Sequence, residues 1–212
     1  MLDEKRMNRV LGKLDTDQML ITDPFAIYYL TGRWIFAGER FLGLLIKKGK
    51  KPILYLNELF RFDEDLGVTK KMITDTDSVA ELLKYDVDPN KALGVDKTLA
   101  ARFLLPMIDG AIASKFINGS LAVDHTRAIK DEEEIALMRE SSHINDLAIA
   151  EFKKLPKSGI TEIEVANQML DIYKKLGAEA YSFSPIVAFG VNAADPHHMP
   201  DETVLHEGET VL

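Results

Sequence analysis

Two adjacent histidines, His197 and His198, stand between Pro196 and Pro200 in a loop that also carries Asn192. Each proline locks its own φ and pushes the residue before it into an extended conformation, so the pair sits in a stiff frame. Imidazoles held in this way suit proton transfer or hydrogen bonding near neutral pH. Loop histidines are also commonly just solvated, and the pair alone does not separate the two. A divalent ion shared by both is a poor third option. Adjacent residues of an extended segment point to opposite faces, and the chain has no H-E-x-x-H helix. The nearest lookalike, His206-Glu207-Gly208-Glu209, contains a glycine and reads as a turn.

The elements that must position this loop can be followed along the chain. An apolar run at 186–189 ends at Gly190, and a second apolar start follows Gly208, which predicts a strand, a rigid loop and another strand. Upstream, Asp131 with Glu134 and Thr161 with Glu164 have capping-box spacing. They predict a long helix from 131 to about 155 and a second helix closed at Leu176-Gly177. The first half of the chain has shorter elements. A helix is expected at 2–14, a strand at 19–22, a helix at 25–30 closed by Thr31-Gly32, and a hairpin of 41–46 with 52–56. Strands at 71–74, 93–96 and 114–117 then alternate with helices at 78–84 and 98–107. That alternation predicts an α/β fold with a largely buried mixed sheet. The change in element length near 119–128 divides the chain into expected domains 1–122 and 123–212.

Composition narrows the function. A chain of 212 residues, 46% hydrophobic, can hold one large domain or two small ones. The formal net charge of -8 and a pI near 5.2 argue against nucleic acid as a partner, which needs a basic face. The single lysine cluster, Lys47, Lys48, Lys50 and Lys51 around Gly49, lies between two apolar runs and reads as a solvated hairpin turn. The absence of cysteine excludes a disulfide framework and a zinc ribbon, and fits a reducing cytoplasm. No apolar stretch approaches membrane-spanning length and the first residues form no signal segment, so a soluble cytoplasmic protein without a membrane partner is expected.

Longer motifs carry a resemblance. The run F-S-P-I-V-A-F-G-V-N-A-A-D-P-H-H-M-P at 183–200, followed by L-H-E-G-E-T-V-L at 205–212, resembles the catalytic domain of the Xaa-Pro peptidases, the prolidase and aminopeptidase P group of pita-bread metallopeptidases. The stretch S-G-I-T-E-I-E-V-A at 158–166 and the entry R-A-I-K-D-E-E-E-I at 127–135 are similar to the same family, with Asp131 where a serine is usual; both residues can cap a helix. M-L-I-T at 19–22 through Y-L-T-G at 29–32 resembles the family's creatinase-like N-terminal domain. The resemblance thus implies a creatinase-like α/β domain followed by the first part of a pita-bread domain.

The activity that the resemblance implies is metal-dependent hydrolysis of Xaa-Pro bonds in small peptides by a homodimer. Family members hold two divalent ions, Mn²⁺, Co²⁺ or Zn²⁺, on two aspartates, a histidine and two glutamates. The first of these ligands would fall two residues past Leu212, so residues 1–212 alone are expected to hold no metal pair and to be inactive. His197 matches the family's catalytic histidine, which hydrogen-bonds the substrate and the tetrahedral intermediate. Phe183 matches an aromatic of the pocket for the proline ring, with plain core packing as its other reading. His198 is expected to orient the loop or to face solvent. Across the dimer, Arg33 or Arg40 would hold the substrate carboxylate while Trp34 covers the site, unless Trp34 and Phe36 pack locally. The alternative function is a non-catalytic pita-bread relative that binds peptides or a partner protein.

Overall fold

Leu20, Leu45 and Tyr55 face one side of a β-sheet, while Met19, Ile21, Leu44, Ile46, Leu54 and Leu56 face the other, and all of them are buried. Side chains alternate along a strand, so a strand covered on both faces reads as an unbroken apolar run. This is why 19–21, 42–46 and 53–56 lack polar alternation. The computed structural model describes residues 1–212, and the chain divides into two units, Met1–Ile129 and Lys130–Leu212.

The first unit contains β1 (Gln18–Ile21), β2 (Leu42–Lys47), β3 (Ile53–Asn57), β4 (Thr69–Ile73), β5 (Ala92–Val95) and β6 (Lys115–Asn118). They form one mixed sheet in the order β4-β3-β2-β1-β5-β6. The hairpin β2–β3 and the pair β1–β2 are antiparallel, whereas β3–β4, β1–β5 and β5–β6 are parallel. One face is covered by α1 (Glu4–Lys13), α2 (Pro24–Thr31) and α5 (Ser120–Ala128), through Met7, Val10, Ile27, Leu30 and Val123. On the other lie α3 (Val79–Leu83) and α4 (Ala101–Asp109), through Ala80, Leu83 and Met107. Asp23 accepts from the Phe25 amide ahead of Pro24, and Gly32 ends α2 with φ 69°. Proline at the first turn and glycine in the left-handed region are what the boundaries of that helix require.

The helix α5 spans the boundary expected at 122/123. It has no side-chain cap at its start, and a strong amphipathic pattern is missing from S-L-A-V-D-H-T-R-A. Its last turn is tied to α1: the Arg9 guanidinium donates to the Thr126 and Ile129 carbonyls at 3.1 and 2.9 Å, and Lys13 donates to the His125 carbonyl at 3.0 Å. Cations at a helix C-terminus satisfy carbonyls that the helix itself leaves open. The first unit therefore extends to Ile129.

The second unit contains α6 (Glu132–Phe152) and α7 (Glu162–Lys175), each entered through a complete capping box. Phe152 meets Tyr173 edge to face at 5.1 Å, and the Tyr173 hydroxyl donates to Asn145 at 2.6 Å. The strands expected around 186–189 and after Gly208 do not form a ladder. Phe189 and Val211 make one isolated bridge, with Ala188 and Leu212 exchanging both backbone hydrogen bonds at 3.0 and 2.9 Å. Immediately after it the chain coils into a 3₁₀ turn at Gly190–Ala194. A pairing this short stays below a strand because the backbone turns away at Gly190, whose φ is 50°.

Candidate functional site

The histidine loop is built on one buried carboxylate. Glu162 is the first helical residue of α7 and is fully buried. Thr161 caps the helix by accepting from the Glu164 amide at 3.2 Å, while Glu164 accepts from the Thr161 amide at 2.9 Å. The capping box orients the first turn, and the helix dipole favours a negative charge there.

Four N–H groups converge on Glu162. Its Oε1 accepts from the Phe189 amide at 2.7 Å and from Asn192 Nδ2 at 3.0 Å. Its Oε2 accepts from the Asp201 amide at 3.1 Å and lies 2.6 Å from His198 Nε2. Asn192 also donates to Thr203 Oγ1 at 3.1 Å. Backbone pairing closes the frame, with Glu162 N to Thr203 O at 3.2 Å and Ile163 N to Asp201 O at 3.2 Å. The loop from 189 to 201 is thereby fastened at both ends and in the middle to a single residue.

His197 sits on this frame with its side chain exposed. Its amide donates to Asp195 Oδ1 at 2.9 Å, and the next amide, of His198, donates to the Asp195 carbonyl at 3.2 Å. The two histidines diverge, and they do so across a turn closed by the bond from His198 N to Asp195 O, not along the extended segment expected from the flanking prolines. His198 turns inward to Glu162, with 14% of its side chain exposed, and His197 turns outward. Orientation of the loop, one of the two roles open to His198, is the one its geometry fits.

Burial alone would push the Glu162 carboxyl up, but the hydrogen bonds from His198, Asn192 and the Asp201 and Phe189 amides hold it below the usual carboxylate range. The Glu162 hydrogen bond raises the His198 pKa above the ordinary histidine value, against a smaller opposing effect of burial, and the charges of Asp201 and Asp195 act in the same direction.

Glu162, His198 and Asp201 are also the one trio whose ligand atoms lie close enough, within 4.8 Å, to suggest a metal ion. Their chemistry does not fit one. A carboxylate offers about four acceptor positions, and those of Glu162 already face four N–H donors. Asp201 Oδ1 accepts from the Thr203 amide at 2.7 Å. The set supplies three ligands, too few for two divalent ions.

The remaining sequence-derived residues fall elsewhere. Phe183 is 73% exposed within residues 1–212. Arg33, Trp34 and Arg40 belong to the first unit. Arg33 lies over the Phe62 ring at 5.0 Å and reaches Glu64 by one contact of 3.3 Å. Trp34 is 46% exposed and packs on Phe25 at 4.9 Å and Tyr28 at 6.1 Å. Arg40 is committed: Nε and Nη2 meet both oxygens of Asp75, and Nη1 meets Glu39. Glu162 was not among the candidates. A glutamate at the first position of a capped helix usually faces solvent, and its spacing from Asn192 and His198 follows no local period.

A six-stranded mixed sheet between helices, followed by capped helices that carry a histidine loop, defines the class, and comparison with known proteins agrees. Residues 5–129, more than half of the chain, match the Creatinase/Prolidase N-terminal domain, and residues 136–212 match Metallopeptidase family M24. The chain belongs to the family with a Creatinase/Prolidase N-terminal domain, here followed by part of a Metallopeptidase family M24 domain. An uncharacterized peptidase of Staphylococcus aureus (strain USA300) is 29% identical over 211 residues, 98% of this chain and 60% of the relative. The Xaa-Pro dipeptidase from Bacillus anthracis is 27% identical with a TM-score of 0.79, over 98% of this chain and 59% of that one. The prolidase from Pyrococcus horikoshii OT3 shares the fold with a TM-score of 0.81 at 24% identity, over 99% and 59% of the two chains. This chain thus spans about three fifths of the length of these relatives. No helix is long and apolar enough to cross a membrane.

Proposed function

We propose that this chain is part of a cytoplasmic, metal-dependent peptidase that hydrolyses Xaa-Pro bonds in dipeptides or short peptides, and that His197 is its catalytic residue within 1–212. The observation that carries this is the exposed His197 side chain on a loop fastened by four hydrogen bonds to buried Glu162. An imidazole on a rigid frame can hydrogen-bond the scissile carbonyl and the oxyanion it becomes, and one such donor contributes about 10²- to 10³-fold in rate. Exposed Phe183 offers a flat apolar surface for the proline ring. In a homodimer, Arg33 would hold the substrate carboxylate and Trp34 would shield it from water, since Arg40 is already paired.

The two divalent ions of this reading, Mn²⁺, Co²⁺ or Zn²⁺, would need more ligands than the three that Glu162, His198 and Asp201 offer. Residues 1–212 alone should accordingly leave Xaa-Pro dipeptides intact. The test is the intact protein, assayed on a dipeptide such as Ala-Pro with each of the three ions. Turnover is expected, falling about 10²- to 10³-fold in kcat for His197→Ala with bound metal unchanged. Metal loss in parallel with activity would make His197 a ligand. Peptide binding without turnover under every ion would support the non-catalytic, peptide-binding alternative.

A further inference from the structure

We propose that Glu162 is the positioning residue for His197, closing the loop from 189 to 201 onto the first turn of α7 through a negative charge that a protonated His198 matches. The activity part of this proposal rests on the peptidase reading; the structural part does not.

The argument starts from the geometry of acceptors. Phe189, Asn192, His198 and Asp201 are spread over thirteen residues of loop; besides the turn bond from Asn192 N to Phe189 O at 3.0 Å, the Asn192–Thr203 contact at 3.1 Å and the backbone bond from Ile163 N to Asp201 O at 3.2 Å, the group that all four share is the Glu162 carboxylate. Only a carboxylate accepts four N–H groups at once. An amide of the same shape has a single oxygen, and its NH₂ would oppose the Asp201 amide. His197 is not touched by Glu162, so its position depends on the loop and not on a bond of its own. Its neighbour His198 supplies the one ionisable donor. The groups facing His198 are Glu162 on α7 and Asp195 and Asp201 on its own loop. All three are acidic, and none can replace its proton. A neutral imidazole can still donate from Nε2, but a protonated one adds the attraction of an ion pair to the same hydrogen bond. The loop is therefore held more tightly when His198 is cationic.

The test uses the intact protein and reads the loop directly. Protection factors for the Phe189 and Asp201 amides, from hydrogen exchange followed by NMR, should fall about 3- to 10-fold as pH rises through the His198 titration, which the same spectra follow. His198→Lys keeps a cation at every pH in this range and should flatten that dependence, while His198→Gln should be flat at the lower protection. Glu162→Gln should lower protection of both amides at least tenfold and return His198 to an ordinary titration. If Glu162→Gln does not fold, the two His198 variants decide. In the activity arm, Glu162→Gln should lower kcat at least tenfold with KM within about threefold, yet cost nothing further in a His197→Ala background, because a positioning residue acts through the residue it positions. Unchanged protection in Glu162→Gln, or in both His198 variants, overturns the proposal. Additive losses in the double variant overturn it as well. An inactive protein with the expected exchange pattern would reject the peptidase reading and keep the clamp.

Discussion

Arg40 meets Asp75 with two nitrogens on two oxygens, Nε at 2.8 Å and Nη2 at 3.0 Å, and Asn57 Nδ2 donates to the same Asp75 Oδ1 at 2.7 Å. The guanidinium holds the Asp75 carboxyl below the usual range, and the carboxylate raises Arg40 in turn. A fork already filled by a carboxylate of its own unit cannot take a second one without first releasing it.

That relationship separates the two arginines of the 33–40 segment. On the proposed peptidase activity, Arg33→Ala in the intact protein should raise KM for dipeptides with a free carboxylate, with a smaller effect on amidated substrates. Arg40→Ala should leave KM within about twofold, since uniform substrate binding is not what it supplies. The opposite order in a steady-state comparison would reassign the carboxylate contact to Arg40.

A second network predicts a stability effect. The buried Tyr55 hydroxyl donates to Asp86, Lys71 Nζ sits 2.5 Å from the same carboxylate oxygen, and Lys47 donates to the Asp86 carbonyl. Burial pushes the Tyr55 hydroxyl strongly up, so it stays a neutral donor. Asp86→Ala removes the acceptor of a buried hydroxyl and should cost about 1–3 kcal/mol, against about 0.5–1.5 for Tyr55→Phe, which removes the hydroxyl as well. Denaturant midpoints at constant m-value would check the order of the two.

The Glu162–His198 pair predicts how stability varies with pH. Glu162 has a depressed folded pKa, so its contribution is present above its unfolded value and is lost as pH falls through the folded one. His198 has a raised folded pKa, so its contribution is complete below the unfolded value and is lost as pH rises through the folded one. The pair should therefore contribute most between about pH 5 and pH 6.5. The thermal-midpoint gap between the wild type and His198→Gln should be widest in that window and shrink above it. A gap that grows from pH 7 to pH 9 would contradict the pairing.

Gly190 gives a local test. A Cβ built there would lie 2.9 Å from Glu209 Oε1, at a φ of 50°. Gly190→Ala should destabilise the protein by about 1 kcal/mol or more, chiefly through the backbone term. Gly12→Ala, in the last turn of α1 where nothing lies within 4 Å, should instead stabilise by about 0.5–1 kcal/mol and so give the opposite sign in the same unfolding assay.

Much of the fold was legible because its determinants are local. The apolar runs at 19–21 and 42–46, the prolines and glycines at helix ends, and the boxes Asp131/Glu134 and Thr161/Glu164 each act within a few residues, so their spacing is written in the chain. The prolines beside His197 were legible for the same reason, but the hydrogen bonds that hold its loop come from Glu162, which local spacing did not reveal. Helix α5 was not, because what holds its end is Arg9 and Lys13 on α1, more than a hundred residues earlier. Nor did the residues at 33–40 reveal that Arg40 has a bidentate ion pair while Arg33 has one ion-pair contact and the Phe62 ring, since Asp75, Glu64 and Phe62 arrive from other parts of the unit. The inward turn of His198 and the outward turn of His197 depend on Glu162, thirty-six residues before His198. Sequence by itself determined which residues can hold a proton or a charge; only the tertiary structure decided which of them are spent on each other, because hydrogen bonds between distant segments are set by packing and not by spacing.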